Sequence, residues 1–81
     1  MQLNILTPEQ KLFSGEADSV HLTGTDGVFE ILNNHAPLIA SLKEGSVKIK
    51  SGNQQQEFKL KSGIVEVIKN NVSVLTEGVI E

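Results

Sequence analysis

The sequence predicts an all-β domain, a flattened β-sandwich or barrel of roughly eight to ten short strands. Apolar residues recur at every second position, which is the period of a strand and not that of a helix. Turn signals rich in glycine and asparagine separate these runs at short intervals. No amphipathic helix of useful length interrupts the pattern, and residues 1–81 are expected to form one domain.

Four segments alternate strictly, and each is expected to turn one face to the core and the other to solvent. The residues predicted to point inward are Leu3 and Ile5, Val20 and Leu22, Val47 and Ile49, and Phe58 and Leu60. The polar residues between them, including His21, are predicted to be exposed strand residues.

Residues 26–39 combine a turn, a strand and a rigid corner. Residues 24–27 predict a tight hairpin, because glycine accepts the positive φ that short hairpin turns require. Residues 28–32 are expected to form the strand, and the polar loop 33–35 follows it. Proline in the dipeptide 36–37 restricts its own φ and the residue before it. We expect this segment to be a shaped surface for another protein, not a catalytic apparatus.

Two segments near the C-terminus, 64–68 and 72–75, carry apolar residues on both faces. They are expected to pair as a hairpin through an Asn70-Asn71 turn, and a second hairpin is expected at 48–58. A strand that is apolar on both faces is either central and buried on both sides or covered by a partner, and the pattern leaves both open. Our hypothesis is that Ile64, Ile68 and Leu75 belong to a partner-covered patch.

The composition excludes several functional classes. The net charge is −3, with seven lysines, no arginine and no basic stripe, so a nucleic-acid partner is not predicted. The chain contains no cysteine, which rules out disulfides and thiolate metal sites. No apolar run approaches the roughly 20 residues of a membrane-spanning helix, and the first residues lack the pattern of a signal peptide.

The candidate catalytic residues are few. His21 and His35 are the only histidines, so no metal site is predicted, and His35 is expected either to bond nearby backbone or to contact a partner. The carboxylates Glu16 and Asp18 are two residues apart but lack a nucleophile, and Glu30 is expected to be solvated or to contact a partner. There is no serine elbow and no phosphate-binding glycine loop. Neither an enzymatic activity nor a cofactor is predicted.

A series of short motifs, spread in order over essentially the whole chain, resembles the epsilon subunit of F-type ATP synthases. The most specific pair is the Phe-Ser-Gly segment at 13–15 followed by His-Ala-Pro-Leu at 35–38. The other matching segments are 6–9, 24–32, 42–45, 66–67 and 71–75.

This resemblance implies a flattened β-sandwich at the foot of the central stalk. One side would bind the gamma subunit, and an edge with its loops would rest on the ring of c subunits. The subunit would turn with the rotor and help to couple ion flow to ATP synthesis without performing chemistry itself. It would lie at the cytoplasmic face of the inner (plasma) membrane, touching the membrane only through the ring.

The resemblance also implies roles for particular positions. Residues that align with the ring-facing loop are Thr25, Asp26, Gly27, Val28 and Glu30, and those at the corner near both gamma and the ring are His35, Ala36 and Pro37. Thr7, His35 and Ala40 align with positions that face gamma. Val28 departs from the acidic residue that some relatives carry, which leaves no charge contact to the ring at this position.

A second departure concerns the C-terminus. Typical bacterial relatives continue into two helices that can inhibit ATP hydrolysis and in some cases bind ATP, whereas this sequence stops at Glu81. If Glu81 is the natural end, both activities are expected to be absent. A chain truncated before the two helices would have the same sequence, so the alternative of a truncated chain stays open.

Two other classes fit parts of the sequence. A lipoyl or biotinyl carrier domain is also all-β, and Lys69 beside Asn70-Asn71 is the only lysine near a tight hairpin tip, although the flanking residues of such carriers are missing. A small sugar-binding or enzymatic β-sandwich would normally use aromatic platforms, and the chain contains neither Trp nor Tyr.

Overall fold

The computed structural model describes residues 1–80, which contain nine strands and no helix. The strands are β1 (Gln2–Leu6), β2 (Lys11–Glu16), β3 (Ser19–Gly24), β4 (Gly27–Leu32), β5 (Leu38–Leu42), β6 (Gly45–Ser51), β7 (Gln54–Leu60), β8 (Gly63–Ile68) and β9 (Asn71–Thr76). The predicted all-β class and the predicted range of strand numbers are confirmed. Residues 38–42, which follow the proline corner, form strand β5.

The strands form one curled sheet whose two halves cover a common core. The front sheet has the order β2-β1-β9-β8-β5, and the back sheet has the order β4-β3-β6-β7. The two halves meet where Gly24 of β3 pairs with Leu42 of β5. Neighbouring strands are antiparallel except β1 and β9, which are parallel. β4 pairs only with β3 among the described strands, so it forms an edge of the back sheet.

The core is built from the inward residues of both halves. Buried side chains include Leu3, Ile5, Val20, Leu22, Ile31, Val47, Ile49, Leu60, Val65, Val67, Val72 and Val74. Seven of the eight residues that alternation predicted to point inward are buried, and Phe58 is half-buried against the same cluster. The period-two interpretation of these strands is therefore confirmed.

The turns explain the positions of glycine and asparagine. Gly24 pairs with Gly27 around the predicted tight hairpin, and Gly27 has a φ of 132°. In the β8–β9 hairpin, Lys69 (φ 49°) and Asn70 (φ 60°) occupy both positive-φ positions of a two-residue turn. This turn lies one residue earlier than the predicted Asn70-Asn71, because Asn71 already pairs with Ile68.

Thr76 links the end of β9 to the β7–β8 connection by hydrogen bonds. Its side chain is buried, and its Oγ1 donates a hydrogen bond of 2.8 Å to the carbonyl oxygen of Lys61. Thr76→Val keeps the shape but leaves the carbonyl without this donor, so we expect the free energy of unfolding to fall by about 1–2 kcal/mol. Urea denaturation measures the loss. Thr25→Val, at an exposed turn position, is the control and should be nearly neutral.

Candidate protein-interaction surface

The outward side of the front sheet carries a cluster of exposed apolar side chains among polar ones. We call it the front face and define it by the outward residues of four strands, which are Ile39 and Ser41 (β5), Ile64, Glu66 and Ile68 (β8), Asn71, Ser73 and Leu75 (β9), and Gln2, Asn4 and Leu6 (β1). Among the described residues, seven large apolar side chains are exposed, and four of them lie on this face. Apolar exposure is therefore concentrated on one side of the domain.

The exposed residues of the front face are connected across the strands. Ile64 pairs with Leu75, and Leu75 pairs with Leu6. Ile68 and Leu75 are each 50% exposed, and Ile39 is 70% exposed. The outward side chains of β8 and β9 are thus not buried within the domain, and the interpretation of two doubly buried central strands is wrong. These side chains point outward because the core of the curled sheet is formed by residues on the opposite face of the same strands.

The outward side of the back sheet is charged along its middle, although β4 adds the exposed apolar residues Val28 and Leu32 at its edge. One cross-strand row runs from β4 to β7 and contains Glu30, His21, Lys48 and Glu57. We call this row, together with its neighbours Lys50 and Gln55, the back face. His21 Nε2 lies 3.5 Å from Glu30 Oε2, and both side chains are partly exposed. Acidic side chains form both ends of this row, His21 and Lys48 lie between them, and all four are exposed or half-exposed. The back face therefore looks like an ordinary solvent-facing surface.

The tip of the β3–β4 hairpin lies beside the end of β5. Thr25 N donates a hydrogen bond of 3.1 Å to Ser41 O, and Asp26 and Gly27 are exposed. Val28 is 71% exposed, although it is apolar. A groove of about 350 Å³ separates the hairpin from β5. Its walls include Phe29, Ile39 and Ala40.

The polar corner at 33–37 is exposed and tied to the β8–β9 turn. Asn34 N donates a hydrogen bond of 2.7 Å to Asn70 Oδ1, and Asn34 itself has a φ of 63°. His35 Nδ1 lies 2.7 Å from Ala36 O, where an Nδ1–H donates to this carbonyl. His35 therefore bonds nearby backbone, which is one of its two predicted roles, and its Nε2 edge remains open to solvent.

The two segments predicted to touch the c ring lie at opposite ends of β4. The hairpin tip precedes the strand and the His35 corner follows it, so about 20 Å separates them at 3.3 Å per residue. β4 is also an edge strand, so both segments and the outward Glu30 lie along one side of the domain. The structure thus aligns them on an edge and does not gather them into a pocket.

Two of the residues predicted to face gamma have structural roles in the chain. Thr7 Oγ1 accepts a hydrogen bond of 3.0 Å from Gln10 N and lies 3.1 Å from Gln10 O, which organises the β1–β2 loop. Ala40 is half-buried against the core and lines the groove beside the hairpin. Its neighbour Ile39 has the larger exposed surface, and sequence reasoning missed it because adjacent Leu38 obscured the alternation.

The two candidate carboxylates have different positions. Asp18 Oδ2 accepts a hydrogen bond of 2.8 Å from Gly52 N at the β6–β7 turn. Glu16 Oε1 lies 3.5 Å from the α-amino group of Met1. Each thus has its own structural contact, and they do not form a catalytic pair. In residues 1–80 there is no cluster of three or more His, Asp or Glu side chains that could hold a metal ion.

Lys69 meets one geometric condition of the carrier interpretation, since it is exposed at a two-residue hairpin tip. The lysine alone does not identify a carrier. Residues 1–80 contain no helix that is long and apolar enough to cross a membrane.

Comparison with protein families gives one match over residues 1–81, to the β-sandwich domain of the ATP synthase delta/epsilon chain. The ATP synthase epsilon chain of Chlorobium limicola is 43% identical over 79 residues, covering 96% of this chain and 90% of the relative. The epsilon chain of Leptospira borgpetersenii is 39% identical over 77 residues, covering 95% of this chain and 61% of the relative. The chain therefore spans about three fifths of the length of some relatives and nine tenths of others.

Solved structures show the same fold. A chain in the central stalk and c-ring structure of the Tetrahymena thermophila mitochondrial ATP synthase superposes with a TM-score of 0.84 at 16% identity, over 99% of this chain and 65% of that one. A chain of the Euglena gracilis mitochondrial ATP synthase gives 0.89 at 15% identity, over 96% and 51%. Together with the match over the full sequence, these findings place the chain in the ATP synthase delta/epsilon family, as its β-sandwich domain.

Proposed function

We propose that this chain is a non-catalytic rotor component of an F-type ATP synthase. Its front face binds the gamma subunit, and its β4 edge rests on the c ring. In this position it helps to couple ion translocation to ATP synthesis. The observation that carries the proposal is that four of the seven exposed large apolar side chains of the described residues lie on the front face, in a chain whose relatives are ATP synthase epsilon chains.

The front face is suited to a permanent protein interface. Burying the exposed halves of Ile64, Ile68 and Leu75 would contribute about 1 kcal/mol each, before the cost of association is subtracted. The side chains project from paired strands, so they lose little freedom on binding. Together with Ile39 of β5 they extend over three strands of the sheet, which favours a broad contact rather than a small-molecule pocket.

The β4 edge is suited to contact with the ring. It carries the hairpin tip 25–28 at one end and Glu30 near its middle, and the corner 35–37 follows the other end. Hydrogen bonds from Thr25 to β5 and from Asn34 to the β8–β9 turn hold both ends in place. A joint that transmits torque requires stiff contact points of this kind. Val28 would meet the ring through apolar contact and not through charge.

The proposed location follows from these partners. The chain would lie on the cytoplasmic face of the plasma membrane and reach the membrane only through the c ring. It would need no cofactor. The carrier alternative depends on Lys69. The family match is to the ATP synthase delta/epsilon chain and not to a carrier domain, and the sequence lacks the residues that flank a modified lysine.

The proposal is tested by mixing the chain with the gamma subunit from the same source. Size exclusion with light scattering should give the mass of a stable one-to-one complex. Two separate peaks at micromolar concentration, with both proteins folded by circular dichroism, would contradict the proposal. Isolated c ring in detergent, added to the preformed complex, then tests the second contact.

A further inference from the structure

One charged residue stands inside the apolar front face. Among the outward residues of β5, β8, β9 and β1, Glu66 is the only one that carries a charge, while Glu16 lies on the same side of the sheet at its margin, on β2. Ile64 and Ile68 flank it along β8, while Ile39 and Ser73 are its partners on the neighbouring strands. Its carboxylate is therefore surrounded mainly by exposed apolar side chains.

Glu66 has no counter-charge within the described part of the chain. The ion pairs found in residues 1–80 join Met1 to Glu16 and His21 to Glu30, and no lysine nitrogen lies within 4.0 Å of the Glu66 carboxylate. The side chain is exposed, so water solvates it in the free chain. Glutamate is also disfavoured in strands, and in residues 1–80 the Glu66 side chain forms no ion pair with another residue. A residue that departs from the preference of its local structure is typical of a functional position.

We propose that Glu66 pairs with a lysine or arginine of the gamma subunit when that subunit covers the front face. This inference rests on the proposed function. A carboxylate that is covered by an apolar partner loses its water, and it is tolerated only when a cation or several donors replace that water. The surrounding isoleucines supply the area of contact, and the single charge defines the register and orientation of gamma on the sheet.

The test measures the affinity for gamma of the wild-type chain, Glu66→Gln and Glu57→Gln by titration calorimetry. Glu66→Gln leaves the basic residue of gamma buried without its partner, so the dissociation constant should rise at least about tenfold. Glu57→Gln makes the same chemical change in the centre of β7 on the back face, and it should bind like the wild type. Thermal melts of both variants establish that they remain folded.

The outcomes separate this inference from the proposed function. If the wild-type chain binds gamma and Glu66→Gln binds equally well, the charge pairing is wrong and the rotor proposal stands. If the wild-type chain does not bind gamma, the rotor proposal fails and this inference fails with it. As a second variant, Glu66→Lys places two cations together and should reduce binding further than Glu66→Gln does.

Discussion

Replacing Ile68 with lysine is expected to weaken the complex with gamma by about a hundredfold or more while hardly changing the stability of the free chain. Ile68 is 50% exposed near the end of β8, and it pairs with Asn71 at the last position before the turn. In the free chain a lysine at this position can extend into water, so the free energy of unfolding should change by less than about 0.5 kcal/mol. Under gamma the same ammonium group would be desolvated without a partner.

Val28→Lys is the matched control for this experiment. Val28 is also an exposed apolar strand residue, but it lies on the β4 edge and outside the front face. We expect Val28→Lys to bind gamma normally. A loss of stability in Ile68→Lys that exceeds its loss of binding would show that Ile68 is part of the core, and it would contradict the assignment of the front face.

The largest effect on stability is expected from Gly63→Ala. Gly63 opens β8 between β5 and β9, where it pairs with Leu42 and Thr76. A Cβ at this position would lie 2.0 Å from Leu75 O and 2.9 Å from Thr76 Cα, and these backbone atoms cannot move independently of the sheet. We expect the free energy of unfolding to fall by about 3 kcal/mol or more, a large share of the roughly 5–10 kcal/mol typical of a small domain.

Gly15→Ala provides the control for the glycine effect. Gly15 is also within a strand, but a Cβ there would lie 3.7 Å from the Phe13 ring, which is an ordinary contact. Urea denaturation should therefore show a change of less than about 1 kcal/mol. Equal losses in the two variants would mean that the effect arises from glycine in general. A stable Gly63→Ala would show that the β8–β9 register differs from the one described.

Local sequence patterns predicted much of this fold, because successive side chains of a strand point to opposite faces and the apolar ones identify the inner face. Val20 and Leu22, or Val47 and Ile49, need only alternation to be assigned to the core. The hairpin at 24–27 is likewise local, because Gly27 accepts a positive φ. The β8–β9 hairpin was also predicted, but its turn lies one residue earlier than Asn70-Asn71, because Lys69 adopts a positive φ that its residue type does not indicate. The resemblance in the motif series added the family, which the comparisons confirmed.

Other features depend on distant pairing and could not be predicted from local patterns. The parallel pairing of β1 with β9 and the pairing of β5 with β8 join segments that are far apart in the sequence. Only this pairing places Ile39 beside Glu66 and leaves Glu66 among isoleucines. Alternation predicted that Ile64 and Ile68 share a face, but it could not decide whether another strand covers them.

The arrangement of the two segments of the β4 edge could not be predicted from local patterns either. The sequence identified the residues 25–28 and 35–37 by resemblance, and it gave no indication that one edge strand joins them. It also could not predict that Thr7 organises its own loop through Gln10. The contacts of these residues with the ring and with gamma stay predictions.

The most direct measurement of which face binds gamma uses the absence of cysteine from the chain. Single cysteines are introduced at Ile39 on the front face, at Gln55 on the back face and at Val28 on the β4 edge, and maleimide labelling is followed by intact mass with and without gamma. The account predicts that gamma protects only the cysteine at position 39. Protection at position 55 with free labelling at position 39 would contradict it.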